Sequence, residues 1–371
     1  MHDAAASPAD PLRSRAPPSF ICGIVPAMRL LHVFRRFHQA HNVRPMLKSL
    51  AASVLTTLAR RGVAAMAVLA AGLGLLGLAG AATPSCPPEP APLPAEQLAA
   101  KARDRGLMWT LRRDGRTSYL YASLHVGKPA WAAPGPRLRE ALDRVDAVAL
   151  ELDPLDRAAW RMPEIAPLPL DDAMRSRLDA QAAAVCLPAQ ALASLHPLLQ
   201  TSTFMLLRAR TLGLDVRYGQ EILLSQWARD RGLPVLALET LQGQLDALLP
   251  SDPDDARREL TSNLRQLERP KTLLRTLDQM VGVWERGDLK RLDRYAEWCD
   301  CVSDAADRAA LTRINDGRNP ALAERISELH QRGQSLLVAV GAMHMTGDKA
   351  LPVLLKAQGF EVTLMPRPVS R

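Results

Sequence analysis

The 371-residue chain has 47 lysines and arginines against 39 aspartates and glutamates and is 47% hydrophobic, the composition of a globular protein that can bury a sizeable core. Its net charge of +8 sits at one end, because residues 1–61 hold nine basic residues against only Asp3 and Asp10. The rest of the chain is nearly neutral and lacks the basic face a nucleic-acid binder needs, so nucleic acid is excluded as a partner.

Residues 1–62 form a basic leader, too long for the n-region of an export signal, which makes Met28 or Met46 the more natural start. Residues 63–82 are uncharged and follow Arg60 and Arg61. Basic flank, apolar middle and small-residue end are the parts of a secretory signal peptide, with cleavage expected near Ala79–Ala82. The same run is about long enough to span a bilayer, so an uncleaved inner-membrane anchor is the alternative. Either way the protein is expected to be periplasmic or secreted and to meet the membrane only through this segment. Cys86 follows Thr83-Pro84-Ser85, without the leucine expected ahead of a lipid-modified cysteine. Export also permits disulfides. Cys86, Cys186, Cys299 and Cys301 are the candidates; three pairings are open, and a direct Cys299–Cys301 bridge is expected to be strained. Zinc ligation by a lone Cys-x-Cys lacks a partner pair.

Residues 83–100 carry six prolines and read as an extended linker. A single domain is expected over 101–371. It starts with a hairpin, Leu107–Arg112 and Ser118–Ser123, joined by the turn signal Asp114-Gly115, and the second strand runs out at His125. A short helix over Pro136–Arg144 leads into the apolar strand Val145–Leu150, which closes on Glu151. From about 170 to 332 the spacing of apolar residues is mostly helical: 171–180, 200–212, 220–231, 254–268, 272–286 and 320–332, with Asp252 as a cap and Pro253 at the first helical position of the fourth. One strand, Pro234–Leu238, interrupts them and closes on Glu239. The strand Ser335–Val340 ends at Gly341 and delivers His344, and a helix over 349–358, a turn at Gly359 and a strand over 360–364 finish the chain. The fold class is α/β: a central, mainly parallel or mixed sheet flanked by helices, with a large helical insertion between the strand pairs.

His125, Glu151, Glu239 and His344 each terminate a short apolar strand. If those strands run parallel, the four groups meet at the carboxyl edge of the sheet, where ligands gather in open α/β folds. Imidazole and carboxylate suit a divalent Zn, Mn, Co or Fe ion, which would lower the pKa of a bound water and polarise a carbonyl, and a carboxylate outside the ligand set could act as general base. The competing reading is structural: a histidine after a strand is often a hydrogen-bonding residue, and Glu239 stands just before the helical stretch Thr240–Leu248. Four such groups together weaken it. Haem ligation by the histidines is an alternative, without a Cys-x-x-Cys-His motif. Ser123, two residues before His125, shares its strand face and is conceivable as a nucleophile. His196 before Pro197 reads as a helix boundary, and Trp227, Trp284 and Trp298 as core or interface. Gly72, Gly74 and Gly77 match a dinucleotide fingerprint in letters only, since no strand precedes them.

Several landmarks then appear in order: Leu120-Tyr121-Ala122-Ser123-Leu124-His125-Val126-Gly127, Val148-Ala149-Leu150-Glu151-Leu152-Asp153, Tyr218-Gly219-Gln220-Glu221, Leu238-Glu239-Thr240-Leu241-Gln242-Gly243-Gln244, Trp284-x-x-Gly287-Asp288, Asp316-Gly317-Arg318-Asn319 and Val340-Gly341-Ala342-Met343-His344. From about Leu107 to Leu364 the chain resembles the TraB/PrgY/GumN family, which includes the Tiki proteins and is distantly similar to the erythromycin esterase and ChaN group. The resemblance implies an α/β sheet and a divalent-metal-dependent peptidase or related hydrolase acting on a peptide or small-molecule substrate. It assigns metal ligation to His125, His344 and Glu151, an acid, base or supporting role to Glu151, Glu239 and Arg318, and substrate contacts to Arg318, Asn319 and Ser123, with Mn, Co or Zn as the ion. Ala122 stands where the family usually has glycine, which would alter the first loop if the position needs positive φ or close backbone approach. A non-catalytic envelope protein binding peptide, haem or a polysaccharide-related component is the alternative on the same fold.

Overall fold

The computed structural model describes residues 86–302 and 305–366. The basic leader, the segment 63–82 and its cleavage site lie outside the described residues. Among the described residues no helix is long and apolar enough to cross a membrane.

The expected hairpin forms as β1 (Met108–Arg113) and β2 (Arg116–Ser123), with Arg113 opposite Arg116. Asp114 and Gly115 both have positive φ, 51° and 72°, the type I′ turn that matches strand twist and that the Asp-Gly pair favours. Further strands are β3 (Ala147–Leu150), β4 (Val235–Ala237), β5 (Leu336–Gly341) and β6 (Glu361–Leu364). They form one mixed sheet in the order β4-β3-β5-β2-β1-β6, in which β4, β3, β5 and β2 run parallel to one another and β1 is antiparallel to both β2 and β6. All residues of β3 and β5 are buried, which is why both read as continuous apolar runs rather than alternating ones. Each leucine or valine so placed contributes about 1.5–3 kcal/mol relative to exposure.

The helices lie within a few residues of their expected spans, for example Pro253–Leu267, where the Asp252 carboxylate accepts from the N–H of Asp254 at 2.7 Å. His196 caps Pro197–Arg208, its Nδ1 accepting from the Leu198 N–H at 3.3 Å. The proline-rich linker is not extended throughout. Once Pro94 is passed, the good helix formers Ala95–Lys101 make two turns, and upstream Glu89 pairs with Arg210 at 3.1 Å. Trp284, 1% exposed, donates its Nε1–H to the Ala122 carbonyl at 2.7 Å and packs against Trp131, bracing the end of β2 from below.

Cys299 and Cys301 are joined directly, with Cα atoms 5.0 Å apart. The bridge that the short spacing argues against closes because Asp300 between them takes a left-handed φ of 49°, a conformation short polar residues tolerate. Cys86 and Cys186 are each disulfide-bonded rather than free thiols.

Candidate functional site

Parallel pairing aligns Ser123 with Gly341 and Leu150 with Ala339, so β2, β3 and β5 end side by side and release their terminal groups at one edge. The chain extends the alignment beyond the strands: Glu239 N–H donates to the Glu151 carbonyl at 3.1 Å and Leu238 N–H to that of Leu150 at 2.8 Å. His125, Glu151 and His344 are therefore brought to one cleft, as the strand ends predict, and Glu239 stands behind its lining, tied to it through Arg318 and Gln244. Ser123, His125, Glu151, Gln244, Arg318, Gly341 and His344 line it, with the apolar Leu124, Leu248, Met280, Ile314 and Met343. The cleft, counted with the space open to solvent at its mouth, is about 570 Å³.

Gly341 sits at the centre. Its φ of −48° and ψ of 139° are open to any residue, so the glycine answers to space rather than to backbone conformation. A Cβ there would stand 3.4 Å from Glu151 Oε1, 3.4 Å from His125 Nε2 and 3.6 Å from His344 Cδ2. Three candidate groups thus converge on the face that the missing side chain leaves open. The Gly341 N–H donates to Glu151 Oε1 at 2.8 Å and fixes that carboxylate. Ala122 needs none of glycine's freedom. It lies within β2, fully buried, its N–H donating to the Leu107 carbonyl at 2.9 Å, and its φ is not positive.

Both imidazoles are oriented by a partner at Nδ1. Asn319 donates through Nδ2 to the carbonyls of His344 (3.2 Å) and Lys349 (2.8 Å), which leaves Oδ1 as the acceptor 2.6 Å from His344 Nδ1. His344 therefore carries its proton on Nδ1 and presents a bare Nε2. Asn319, expected to touch substrate, is 0% exposed and spends its amide on aiming this ring. His125 Nδ1 lies 2.9 Å from Glu221 Oε1, an ion pair off the line of a straight hydrogen bond, and turns Nε2 toward Gly341. The same Glu221 oxygen accepts a very short hydrogen bond from the Ser123 hydroxyl, so Ser123 braces Glu221 and is not coupled to an imidazole as a nucleophile would be.

Arg318 ties the carboxylates together. Its Nη2 lies 2.5 Å from Glu151 Oε2, its Nε donates to Glu239 Oε2 at 2.9 Å, and Nη2 also contacts Glu239 Oε1. Nη1 lies 3.3 Å from the bare Nε2 of His344. Gln244 donates to Glu151 Oε2 at 3.2 Å and to Glu239 Oε1 at 3.4 Å.

These surroundings push the two carboxyls apart. Burial alone would raise Glu151, but Arg318, then His344, His125 and the Gly341 N–H outweigh it and hold the group well below the usual carboxylate range. Glu239 is raised, by burial first and by the neighbouring Glu151, against the pull of Arg318. Burial would lower His125, yet Glu221 holds it above its ordinary value. Burial, opposed by Glu151 and reinforced by Arg318 and His125, pushes His344 down to about 3. Arg318 is raised despite burial, chiefly by Glu151 and Glu239, and is always a cation.

The donor chemistry fits a divalent ion: two imidazoles with Nδ1 engaged, a carboxylate that stays ionised, and a cradle that a single Cβ would fill. As placed, no three His, Cys, Asp or Glu side chains among the described residues lie close enough to hold one, and the Arg318 guanidinium stands 3.3 Å from His344 Nε2. An ion and Arg318 Nη1 therefore compete for that nitrogen. Glu221 and Gln244 are the site residues that motif reading quotes without a role. Glu221 lies in the first turn of the helix Gln220–Asp230 and Gln244 in the helix Leu241–Leu248.

A mixed α/β sheet with two histidines and two glutamates at the carboxyl edge of its parallel strands, bridged by one half-buried arginine, defines a class of sheet-edge site. The chain belongs to the TraB/PrgY/gumN family, which it matches over residues 107–364. It is 26% identical over 252 residues to a Shigella flexneri protein named "Uncharacterized protein YbaP", covering 65% of this chain and 88% of the relative, and 25% identical with the same coverage to the protein of that name from Escherichia coli strain K12. No solved structure matches.

Proposed function

We propose that the protein is an exported divalent-metal-dependent hydrolase that cleaves an amide or ester bond of a peptide or small molecule. The observation behind this reading is the pair of imidazoles, each with Nδ1 tied to a partner and the other edge turned toward Gly341 beside an ionised carboxylate. His125 and His344 through Nε2, and Glu151 through a carboxylate oxygen, would hold Mn, Co or Zn. Bound there, such an ion supplies Lewis acidity and a water of lowered pKa. Glu239, whose carboxyl is raised, is the better suited of the two to accept a proton, whereas Glu151 stays ionised; environments that split two carboxyls in this way assign the base and the charged partner. Arg318 holds both in place and has Nη1 to turn toward a substrate oxygen once His344 Nε2 is engaged elsewhere. Leu124, Leu248, Met280, Ile314 and Met343 give the substrate an apolar wall.

The test is incubation of the purified protein with a peptide library in the presence of Mn²⁺, Co²⁺ or Zn²⁺. Cleavage that is abolished by chelator and lost in Glu239→Gln supports the reading, and no cleavage with any of the three ions overturns it. One observation favours a second reading, non-catalytic binding of an envelope peptide, haem or polysaccharide component. Arg318 already neutralises the buried carboxylates without an ion. Ligand binding that persists in chelator without turnover would select it.

A further inference from the structure

A second pocket, about 330 Å³ including the space open to solvent at its mouth, lies between the segment Arg103–Arg105, β2, the stretch Trp131–Leu138 and the start of the helix Gln220–Asp230. Its charged lining is Arg103, Arg105 and Arg137 against one carboxylate, Asp104. Asp104 is committed to Arg137: Oδ2 lies 3.1 Å from Nε and Oδ1 accepts the Arg137 N–H at 2.9 Å. Arg105, 9% exposed, has only neutral acceptors, with Nη2 donating to the Lys101 carbonyl at 2.8 Å and Nη1 to that of Arg103 at 3.2 Å. Two carboxylates reach it from farther off: Glu285, itself held by Lys128 at 3.3 Å and Trp131 Nε1 at 3.0 Å, and more weakly Asp104, already engaged by Arg137. Burial first, then the adjacent Arg103 charge, lowers the Arg105 pKa, as befits a desolvated cation short of a counter-charge.

Two buried donors at this wall have no partner: Arg105 Nε and the Nε2 of Gln220, a residue only 3% exposed. Gln220 Oε1 is taken by the Tyr121 hydroxyl at 3.3 Å, which fixes the amide with its N–H₂ group unsatisfied. Buried unpaired donors are costly, and donors clustered with surplus positive charge are satisfied together by one negatively charged acceptor.

We propose that this cavity binds a small oxyanion, a carboxylate or phosphate group, held by Arg105 and Gln220 with Arg103 at its mouth. The site is separate from the histidine cleft and does not depend on the hydrolase reading.

The test titrates the full chain with inorganic phosphate and with acetate at constant ionic strength in chloride, reading heat of binding and thermal unfolding. Saturable binding of either anion, with a rise in Tm that added chloride does not reproduce, is expected, and the better ligand identifies a phosphate or a carboxylate as the group recognised. Gln220→Leu removes one donor to the anion and should weaken binding about tenfold. Arg103→Ala removes an exposed charge without touching the core and should weaken it about threefold, which keeps the test intact if Gln220→Leu fails to fold. His344→Ala should bind the anion as the wild type does. No saturable binding of either anion, affinity unchanged in both cavity variants, or binding lost in His344→Ala would overturn the proposal.

Discussion

Arg318→Met is the most informative single change. It removes the guanidinium that contacts Glu151 and Glu239 through Nε and Nη2 while keeping most of the aliphatic volume. Glu151 retains the Gly341 N–H and Gln244, but Glu239 retains only Gln244 at 3.4 Å. Breaking a buried ion pair from one side costs about 3–5 kcal/mol, most of it the burden of the uncompensated charge left behind. That burden depends on pH. Without Arg318 the already raised Glu239 carboxyl rises further, so its folded-state pKa exceeds the unfolded value by more. A carboxyl raised on folding penalises the native state above the unfolded pKa, and the penalty grows as pH climbs toward the folded pKa. The loss of stability in Arg318→Met should therefore be about 4 kcal/mol at pH 8 and smaller by at least about 1.4 kcal/mol at pH 5, the worth of one proton across one pH unit. Urea unfolding of wild type and variant at both pH values, in chelator so that no ion replaces the lost charge, measures it. Equal losses at the two pH values, or a loss below about 1 kcal/mol, would refute the reasoning.

Three other outcomes follow from the same geometry. Gly341→Ala places a methyl in ordinary contact with Glu151 Oε1 and His125 Nε2 at an unstrained φ, so thermal unfolding should show a change between zero and about 1 kcal/mol of stabilisation, while equilibrium dialysis shows metal affinity reduced by tenfold or more. Glu221→Gln removes the partner that raises His125. A histidine raised on folding stabilises below its unfolded pKa, and that contribution fades as pH rises through the folded value, so the variant should lose more stability at pH 5.5 than at pH 9 in chelator. Asn319→Leu frees the His344 ring; NMR of labelled histidine should show a mixture of tautomers in the variant where the wild type shows the Nδ1–H form alone.

Much of the sheet and the four strand-end groups was legible because the signals are local. Asp114-Gly115 dictates its own turn, and the runs ending at Glu151 and Gly341 announce buried strands by composition, whereas the run before Glu239 forms an edge strand that is only partly covered. Convergence of those ends needed only the assumption of parallel pairing, which the β4-β3-β5-β2 order satisfies. What the sequence leaves hidden depends on distant partners. Glu221 touches Ser123 from 98 residues away, and nothing in the helical pattern of 220–231 marks it as the group that holds His125. The role of Asn319 follows from two carbonyls it meets only in the folded chain. Likewise the short helices Leu289–Asp293 and Tyr295–Trp298 carry too few turns to show a period, and the Cys299–Cys301 bridge turns on the left-handed φ of Asp300.

The central claim, that His125, His344 and Glu151 form one divalent-ion site, is tested most directly by the visible absorption of Co²⁺ added to the chelator-stripped protein. The account predicts a d–d band that saturates at one equivalent, is displaced by Zn²⁺ and is absent in His344→Ala. A band that never forms with the folded wild type, or one that persists unchanged in His344→Ala, would contradict it.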